Sequence, residues 1–396
     1  MELTTYKKEL EEELKNILDY WINNTIDHQY GGFMGKIDDK NIIYAEAPKG
    51  SVLNARILWT FSAVYNKTRE KQFLLLAGRA FEYIHTHFID KEYGGVYWTV
   101  DYKGRPLDTK KQVYALAFAI YACSEYYKCS GNETAKQVAL DLYELIQQYS
   151  YDQMKSGYFE AFTKEWKQIP DLRLSDKDAN EKKTMNTHLH ILEAYTNLYR
   201  VCPVPSTRKY IAELLENFNN HFINKETWRL DMFFDEAWTL KSNTISFGHD
   251  IEASWLMLEA AETISDSRMI EVFKNIAVQM ASAVSASIDK DGGLWYEYEP
   301  SHGLIKEKHW WPQAEAMIGF FNAWQITKED KFLQYSINNW NFVKNYILDK
   351  KNGEWFWGIN EDYTLMKGED KLGIWKCPYH NARACIEIIR RIETIL

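Results

Sequence analysis

Residues 30–35 read Tyr30-Gly31-Gly32-Phe33-Met34-Gly35, and the same Gly-aromatic signature returns as Tyr93-Gly94-Gly95-Val96-Tyr97-Trp98. It recurs as Ser156-Gly157-Tyr158-Phe159, Asp291-Gly292-Gly293-Leu294-Trp295-Tyr296 and Asn352-Gly353-Glu354-Trp355-Phe356-Trp357. Thr227-Trp228-Arg229-Leu230 is the weakest member, lacking the glycine. Taking Gly31, Gly94, Gly157, Trp228, Gly292 and Gly353 as marks, the spacings are 63, 63, 71, 64 and 61. Some segments lead through a polar turn to a second apolar stretch. Thr99-Val100 precedes Lys103-Gly104-Arg105-Pro106, and Ala161-Phe162 precedes Glu165-Trp166-Lys167-Gln168. These read as short hairpins or extended loops.

Between the marks the period is helical. Leu53, Ile57, Leu58 and Phe61 form one apolar stripe, and Val113, Leu116, Ala117, Ile120 and Tyr121 form another. Only 8 prolines interrupt the chain, which suits long helices. Each repeat thus holds about two helices and a loop, giving about twelve helices in all. A unit of this size cannot bury its apolar face alone and must stack on its neighbours. Six units filling the chain without a polar capping unit predict closure into an all-α (α/α)6 barrel. One domain is expected over residues 1–396, with the Gly-aromatic loops gathered at one end.

Composition narrows the function. The 396 residues carry 47 Lys and Arg against 56 Asp and Glu, a net charge of −9. An acidic chain without a basic block is a poor partner for nucleic acid or anionic lipid. No apolar run reaches about 18 residues, so no membrane span is expected. Met1 to Leu10 lacks the basic region and apolar core of a signal peptide. Cys123, Cys129, Cys202, Cys377 and Cys385 are odd in number and not spaced as zinc ligands. They read as free thiols in a reducing cytoplasm. Aromatic residues reach 15%, with 15 Trp and 26 Tyr. Such rings build cores, and they also line sugar-binding clefts; composition alone does not separate the two.

Polar residues interrupt the helical stripes at a few places. In Lys183-Thr184-Met185-Asn186-Thr187-His188-Leu189-His190-Ile191-Leu192-Glu193, residues Asn186, His190 and Glu193 share a face while His188 points elsewhere. In Ser246-Phe247-Gly248-His249-Asp250-Ile251-Glu252-Ala253-Ser254-Trp255, His249 and Glu252 share a face. In Trp310-Trp311-Pro312-Gln313-Ala314-Glu315, Pro312 fits a first helical turn and Trp311 aligns with Glu315. Pro378 marks a helix start just before His380 in Trp375-Lys376-Cys377-Pro378-Tyr379-His380-Asn381-Ala382-Arg383. Arg56 sits in the apolar helix around Leu53-Asn54-Ala55-Arg56 and wants an anionic or oxygen-rich partner.

A single His on an apolar helix is commonly a packed core residue, and His249 with Glu252 is readable as a plain intrahelical pair. Four such interruptions near helix starts, each on a different repeat, are harder to dismiss. In a barrel those starts converge on one cavity. Neither an HExxH motif nor a close His pair on one face points to a metal, so none is expected. Cys377 beside Pro378 reads as structural rather than nucleophilic. The Gly-Gly pairs lack dinucleotide or Walker spacing.

The segments Lys183 to His190, Ser246 to Trp255 and Trp375 to Asn381 resemble those of the cellobiose 2-epimerases, in the N-acylglucosamine 2-epimerase superfamily. The resemblance runs from Leu53-Asn54-Ala55-Arg56 to the C-terminus. It implies an (α/α)6 barrel that interconverts glucose and mannose configurations at C2 of a reducing-end sugar without a cofactor. It implies acid/base roles for His249 and His380, with His190 assisting ring opening or proton transfer. It also implies that Arg56, Tyr114, Asn186, Glu252, Trp311 and Trp375 hold or polarise the sugar. Glu315 joins them as a substrate-binding candidate through its face shared with Trp311.

The chemistry fits these residue types. Once the ring opens, the C2 proton is acidic because charge delocalises onto O1. Histidine exchanges protons near neutral pH, and Arg56 suits the developing oxyanion. Glu252, one turn from His249, is expected to fix its tautomer, and Trp311 and Trp375 to stack on sugar rings. Expected substrates are cellobiose and lactose, with aldose–ketose isomerisation as a side activity and a monomer or weak homodimer as the assembly. Two rivals are an N-acylglucosamine 2-epimerase and an (α/α)6 glycoside hydrolase drawing on Glu252, Glu315 or Asp250. A third is a non-catalytic binding solenoid.

Overall fold

The computed structural model describes residues 1–396. Twelve α-helices follow in order: α1 (Leu3–Asn24), α2 (Ser51–Thr68), α3 (Lys71–Tyr83), α4 (Val113–Ser130), α5 (Glu133–Leu145) and α6 (Met185–Val201). Then come α7 (Pro205–Asn217), α8 (Phe247–Thr263), α9 (Ser267–Ser285), α10 (Trp310–Thr327), α11 (Asp330–Phe342) and α12 (Tyr379–Glu393). The even-numbered helices form an inner ring. Each packs on the next, and α12 returns to α2. The odd-numbered helices lie outside, α1 against α12, α3, α7 and α9 each against the inner helices that precede and follow it, and α5 and α11 against α4 and α10. This is the closed (α/α)6 barrel expected from the repeat.

Burial follows the two layers. In α2 every residue from Ser51 to Val64 is buried, and in α4 every residue from Val113 to Tyr126. The single stripes read from sequence therefore understate these helices, which are covered on all sides. The outer helices keep one buried stripe, as with Phe73, Ala77, Ala80 and Phe81 of α3. Four of them, α3, α5, α7 and α11, widen into a five-residue π-turn at the C-terminus, whose last residues Phe88, Ser150, Phe222 and Ile347 are buried. The Gly-aromatic loop follows. Gly157 shows why glycine is needed there: its φ is +84°, and a Cβ would sit 2.5 Å from the Trp238 ring.

The loops are sewn into a second ring at the end where the inner helices begin. The residues just before each inner helix pair antiparallel with the hairpin of the next repeat. These seams join 49–50 to 99–100, 111–112 to 161–162 and 183–184 to 233–234. They continue with 245–246 to 297–298 and 308–309 to 358–359, and 370–372 closes on 37–38.

In five repeats a lysine in the seam strand reaches back to an aspartate that opens the Gly loop. The pairs are Lys49–Asp27 (2.6 Å), Lys111–Asp90 (2.6 Å), Lys183–Asp152 (2.8 Å), Lys308–Asp289 (2.8 Å) and Lys371–Asp349. The fourth repeat has Asn224 and Ile245 at these positions. Asn224 keeps the loop's turn by accepting from the Glu226 and Thr227 amides. The charge pair is replaced by Arg229 with Asp250.

Candidate active site

The inner helix starts enclose a cavity of about 540 Å³, within the range of small-molecule sites. Its wall includes Arg56 from α2, Tyr114 from α4, Asn186 and His190 from α6, and His249 and Glu252 from α8. Trp310 and Trp311 from α10, Trp375 and His380 complete it. Of the catalytic and substrate-binding candidates read from the sequence, Glu315 alone is not on this wall. It is fully buried behind His380, because Glu315 lies one turn deeper than Trp311 along a helix that descends from the cavity. Its part is therefore to hold His380 rather than a sugar.

The three histidines share one arrangement. His380 Nδ1 lies 2.7 Å from Glu315 Oε1, His190 Nδ1 2.9 Å from Glu193 Oε2 and His249 Nδ1 2.8 Å from Ser246 Oγ. In each, Nε2 has no partner in the protein. A carboxylate accepting from Nδ1–H leaves the Nε2 lone pair free to take a proton. His249 Nδ1 instead faces Ser246, at the helix N-cap, whose hydroxyl can donate or accept and so orients the ring without fixing its tautomer; Glu252, expected to do so, turns to Arg383. Burial, then Arg56 and Arg383, hold His380 well below the ordinary imidazole range. Burial, then His190 and Arg56, push His249 down to about 3. The Trp311 indole packs against both imidazoles, with centroids 4.7 Å from His249 and 5.7 Å from His380.

Behind the wall lies an ionic cluster. Arg383 Nη2 donates to Glu252 Oε1 at 2.6 Å and to Glu315 Oε1 at 2.7 Å, while Nη1 donates to Glu193 and Tyr379. Burial and then Glu315 push Glu252 up to about 7, against the pull of Arg383. Burial likewise raises Glu315. For Glu193 burial is outweighed by Arg383 and His190, which bring it down to about 2. Glu252, Glu315 and His380 are close enough together to hold a cation, but Arg383 already supplies the positive charge among them. The donor set fits an arginine better than a metal.

Arg56 differs from Arg383 in having no carboxylate partner. Its Nη2 donates to the Tyr114 hydroxyl at 2.9 Å, and its guanidinium lies 4.2 Å from the Phe118 centroid and 4.8 Å from that of Tyr379. The oxygen-rich partner expected from sequence is thus one phenol and aromatic faces, which leaves a buried, unneutralised cation beside the cavity. Asn186 Oδ1 is likewise buried without a donor. Trp310 and Trp311 both reach the wall, with Trp310 tilted against Trp357 at 4.4 Å and Trp375 edge-on to Tyr114 at 6.0 Å.

His188, two residues from His190, has the opposite fate. Its Nε2 accepts from the Tyr158 amide at 2.8 Å and its Nδ1 faces the Thr184 carbonyl at 2.7 Å. It pins the third Gly loop to α6, and burial pushes it down to about 3. Asp250, a candidate hydrolytic carboxylate, is fully buried and accepts from Arg229 and the Leu230 amide.

Sequence reasoning gave no role to Arg383, Tyr379, Ser246 or Trp357. Arg383 carried the same signal as Arg56, a cation in an apolar helix, three residues from His380. Ser246 and Trp357 stand at a strand end and in a loop, where periodicity says nothing about direction. The outer cavity is walled by segments 172–181 and 296–301, which are loops and hairpin without helical period.

Comparison with known proteins agrees with this fold. The family profile for N-acylglucosamine 2-epimerase (GlcNAc 2-epimerase) matches residues 31–384. A cellobiose 2-epimerase from Bacteroides fragilis is 45% identical over 97% of this chain and 98% of its own length. One from Dictyoglomus turgidum is 38% identical over 99% and 100%. The structure of cellobiose 2-epimerase from Bacillus thermoamylovorans superposes with a TM-score of 0.93 at 38% identity, covering 98% of this chain and 100% of that one.

Proposed function

The chain belongs to the N-acylglucosamine 2-epimerase family, and on that premise we propose that it inverts C2 of the reducing-end glucose of β-1,4-linked disaccharides. Cellobiose becomes glucosyl-mannose, and lactose becomes epilactose. The enzyme is a carbohydrate epimerase. One observation carries the mechanism: three histidines converge on one cavity with Nδ1 tethered and Nε2 free, next to an arginine with no counter-ion.

His190, backed by Glu193, assists ring opening by moving a proton between the ring oxygen and the O1 hydroxyl. The aldehyde then exposes an acidic C2 proton. Nε2 of one of the pair His249 and His380 takes that proton, and the electron pair of the C–H bond becomes the C1–C2 π bond of a cis-enediolate as charge moves to O1. Arg56, held by Tyr114, stabilises that oxygen. A proton returns to C2 on the opposite face from the other histidine, which enters the step already protonated at Nε2 by solvent, and the ring closes. Return at C1 instead yields a ketose, which accounts for an isomerase side activity. Trp311 and Trp375 stack on the sugar, while Asn186 and Glu252 bind its hydroxyls. Burial favours the neutral form of the histidine that abstracts, as a base must be, and makes the protonated partner a strong acid toward C2.

The hydrolase reading loses support because Glu252 and Glu315 both bind Arg383 and Glu315 does not reach the cavity. Five unpaired thiols support a cytoplasmic location. We further propose a monomer or weak homodimer of one domain over residues 1–396. The test is NMR of cellobiose in D2O with purified protein. A mannose-configured reducing end deuterated at C2, without free glucose, is the expected result. Free glucose restores the hydrolase. Conversion of N-acetylglucosamine but not cellobiose moves the substrate to the acylated sugar.

A further inference from the structure

Arg383 does not itself line the cavity, yet the supports of two histidines meet on its guanidinium. Glu193 holds His190, Glu315 holds His380, and both carboxylates, with Glu252, accept from this one side chain. Arg383 is 1% exposed and packed between the rings of Tyr379 (4.2 Å) and Trp255 (4.9 Å), so it cannot swing toward a substrate. Trp255 also donates its indole N–H to Glu315 at 3.1 Å, which fixes the second oxygen of that carboxylate.

We propose that Arg383 is a positioning residue that acts through Glu193 and Glu315, aiming Nε2 of His190 and His380 at one substrate and coupling the protonation of the two rings. Its catalytic consequence rests on the epimerase reading; the coupling itself does not.

The geometry makes the coupling unavoidable. Glu252 and Glu315 share one Nη2 and therefore crowd each other, and Glu252 stands 4.0 Å from His380 Nδ1. Three carboxylates face one guanidinium, so a proton arriving on His380 changes the charge that Glu193 and His190 sense through Arg383. The other titratable groups facing this cluster are Arg56 from α2, Tyr114 and Tyr121 from α4, and His249 from α8. From α12 itself comes Tyr379. Removing the Arg383 charge raises the proton affinity of every one of these neighbours. His380 is then protonated, and lost as a base, at higher pH. Lysine keeps the charge but lacks the planar fork that spans three carboxylates.

The experiment measures kcat and KM against pH for C2 exchange of cellobiose in wild type, Arg383→Gln and Arg383→Lys, with an ¹⁵N NMR titration of the histidines in each. In Arg383→Gln the acid limb should move up by about one pH unit or more, matching loss of a nearby buried charge. In Arg383→Lys the limb should stay while kcat falls about tenfold or more and KM holds within about twofold. An unmoved limb and unmoved His380 titration in folded Arg383→Gln overturn the proposal, as does an Arg383→Lys enzyme changed in KM alone. If Arg383→Gln is insoluble, the kcat-against-KM split and His380 titration of Arg383→Lys decide. Wild type without C2 exchange defeats the epimerase reading, and the NMR titration then still judges Arg383.

Discussion

Replacing Lys111 with Met isolates the strength of the seam ion pairs. Lys111 Nζ sits 2.6 Å from Asp90 Oδ2, and both side chains are fully buried. Without the lysine, Asp90 keeps only the Glu92 and Tyr93 amides on Oδ1. It must then stay ionised and unpaired or take up a proton. Taking up a proton at pH 7 costs about 4 kcal/mol, three units from an ordinary Asp pKa near 4 at about 1.4 kcal/mol each. That ceiling agrees with the roughly 3–5 kcal/mol lost when one partner of a buried pair is removed. Because the variant's folded Asp90 binds a proton more tightly than the unfolded one, the defect is largest above the folded pKa. It shrinks by about 1.4 kcal/mol per unit as pH falls from there, and vanishes below pH ~4. The fourth repeat shows the remedy, since Asn224 and Ile245 remove both charges at once. Asp90→Asn with Lys111→Met should therefore cost much less than Lys111→Met alone, with a coupling of about 2–3 kcal/mol. Urea unfolding followed by both tryptophan fluorescence and circular dichroism at pH 5 and 7 measures this. Additive single effects, or a Lys111→Met defect independent of pH, would refute the reasoning.

Three further outcomes follow from the site. His249→Ala and His380→Ala should each lower C2 exchange by about 10²–10⁴-fold with the fold intact by circular dichroism; full activity in either removes it from the acid/base pair. Glu315→Gln should lower kcat by about 10²-fold with KM nearly constant, because Nδ1 of His380 loses its carboxylate; a KM effect alone would return Glu315 to the sugar-binding role. His188, His249 and His380 all have imidazole pKa values depressed by burial. The unfolded chain therefore takes up protons first, and stability should fall as pH drops below about 6.5, by about 1.4 kcal/mol per unit for each such histidine. Removing the ring in His188→Ala should flatten that slope by about one histidine's share, as read by chemical denaturation from pH 7 to 5.

The barrel was legible because its two signals are local: an apolar helical period and an aromatic turn that carries glycine in five of the six repeats. The site was legible where a polar side chain broke that period, and the 100° step per residue separated His190 from His188 correctly. What failed were statements about partners. Glu252 shares a helical face with His249, yet its partner, Arg383, stands 131 residues away, while Ser246 reaches the imidazole from the strand end. Arg56 and Arg383 look alike in sequence and differ only in what other helices bring to them. The Lys–Asp pairs were present in the sequence too, but their separation varies, from Lys308 and Asp289 to Lys183 and Asp152, so no fixed period marks them.

The last seam joins residues 370–372 to 37–38, and α12 seats against both α1 and α2. A ribosome delivers these partners in the least convenient order. The first hairpin and the flank of α1 emerge early and wait, with open backbone edges and apolar faces, until nearly the whole chain has been made. The nascent protein is thus a split hoop for most of its synthesis, and its gap is the surface a chaperone or an aggregating neighbour meets first.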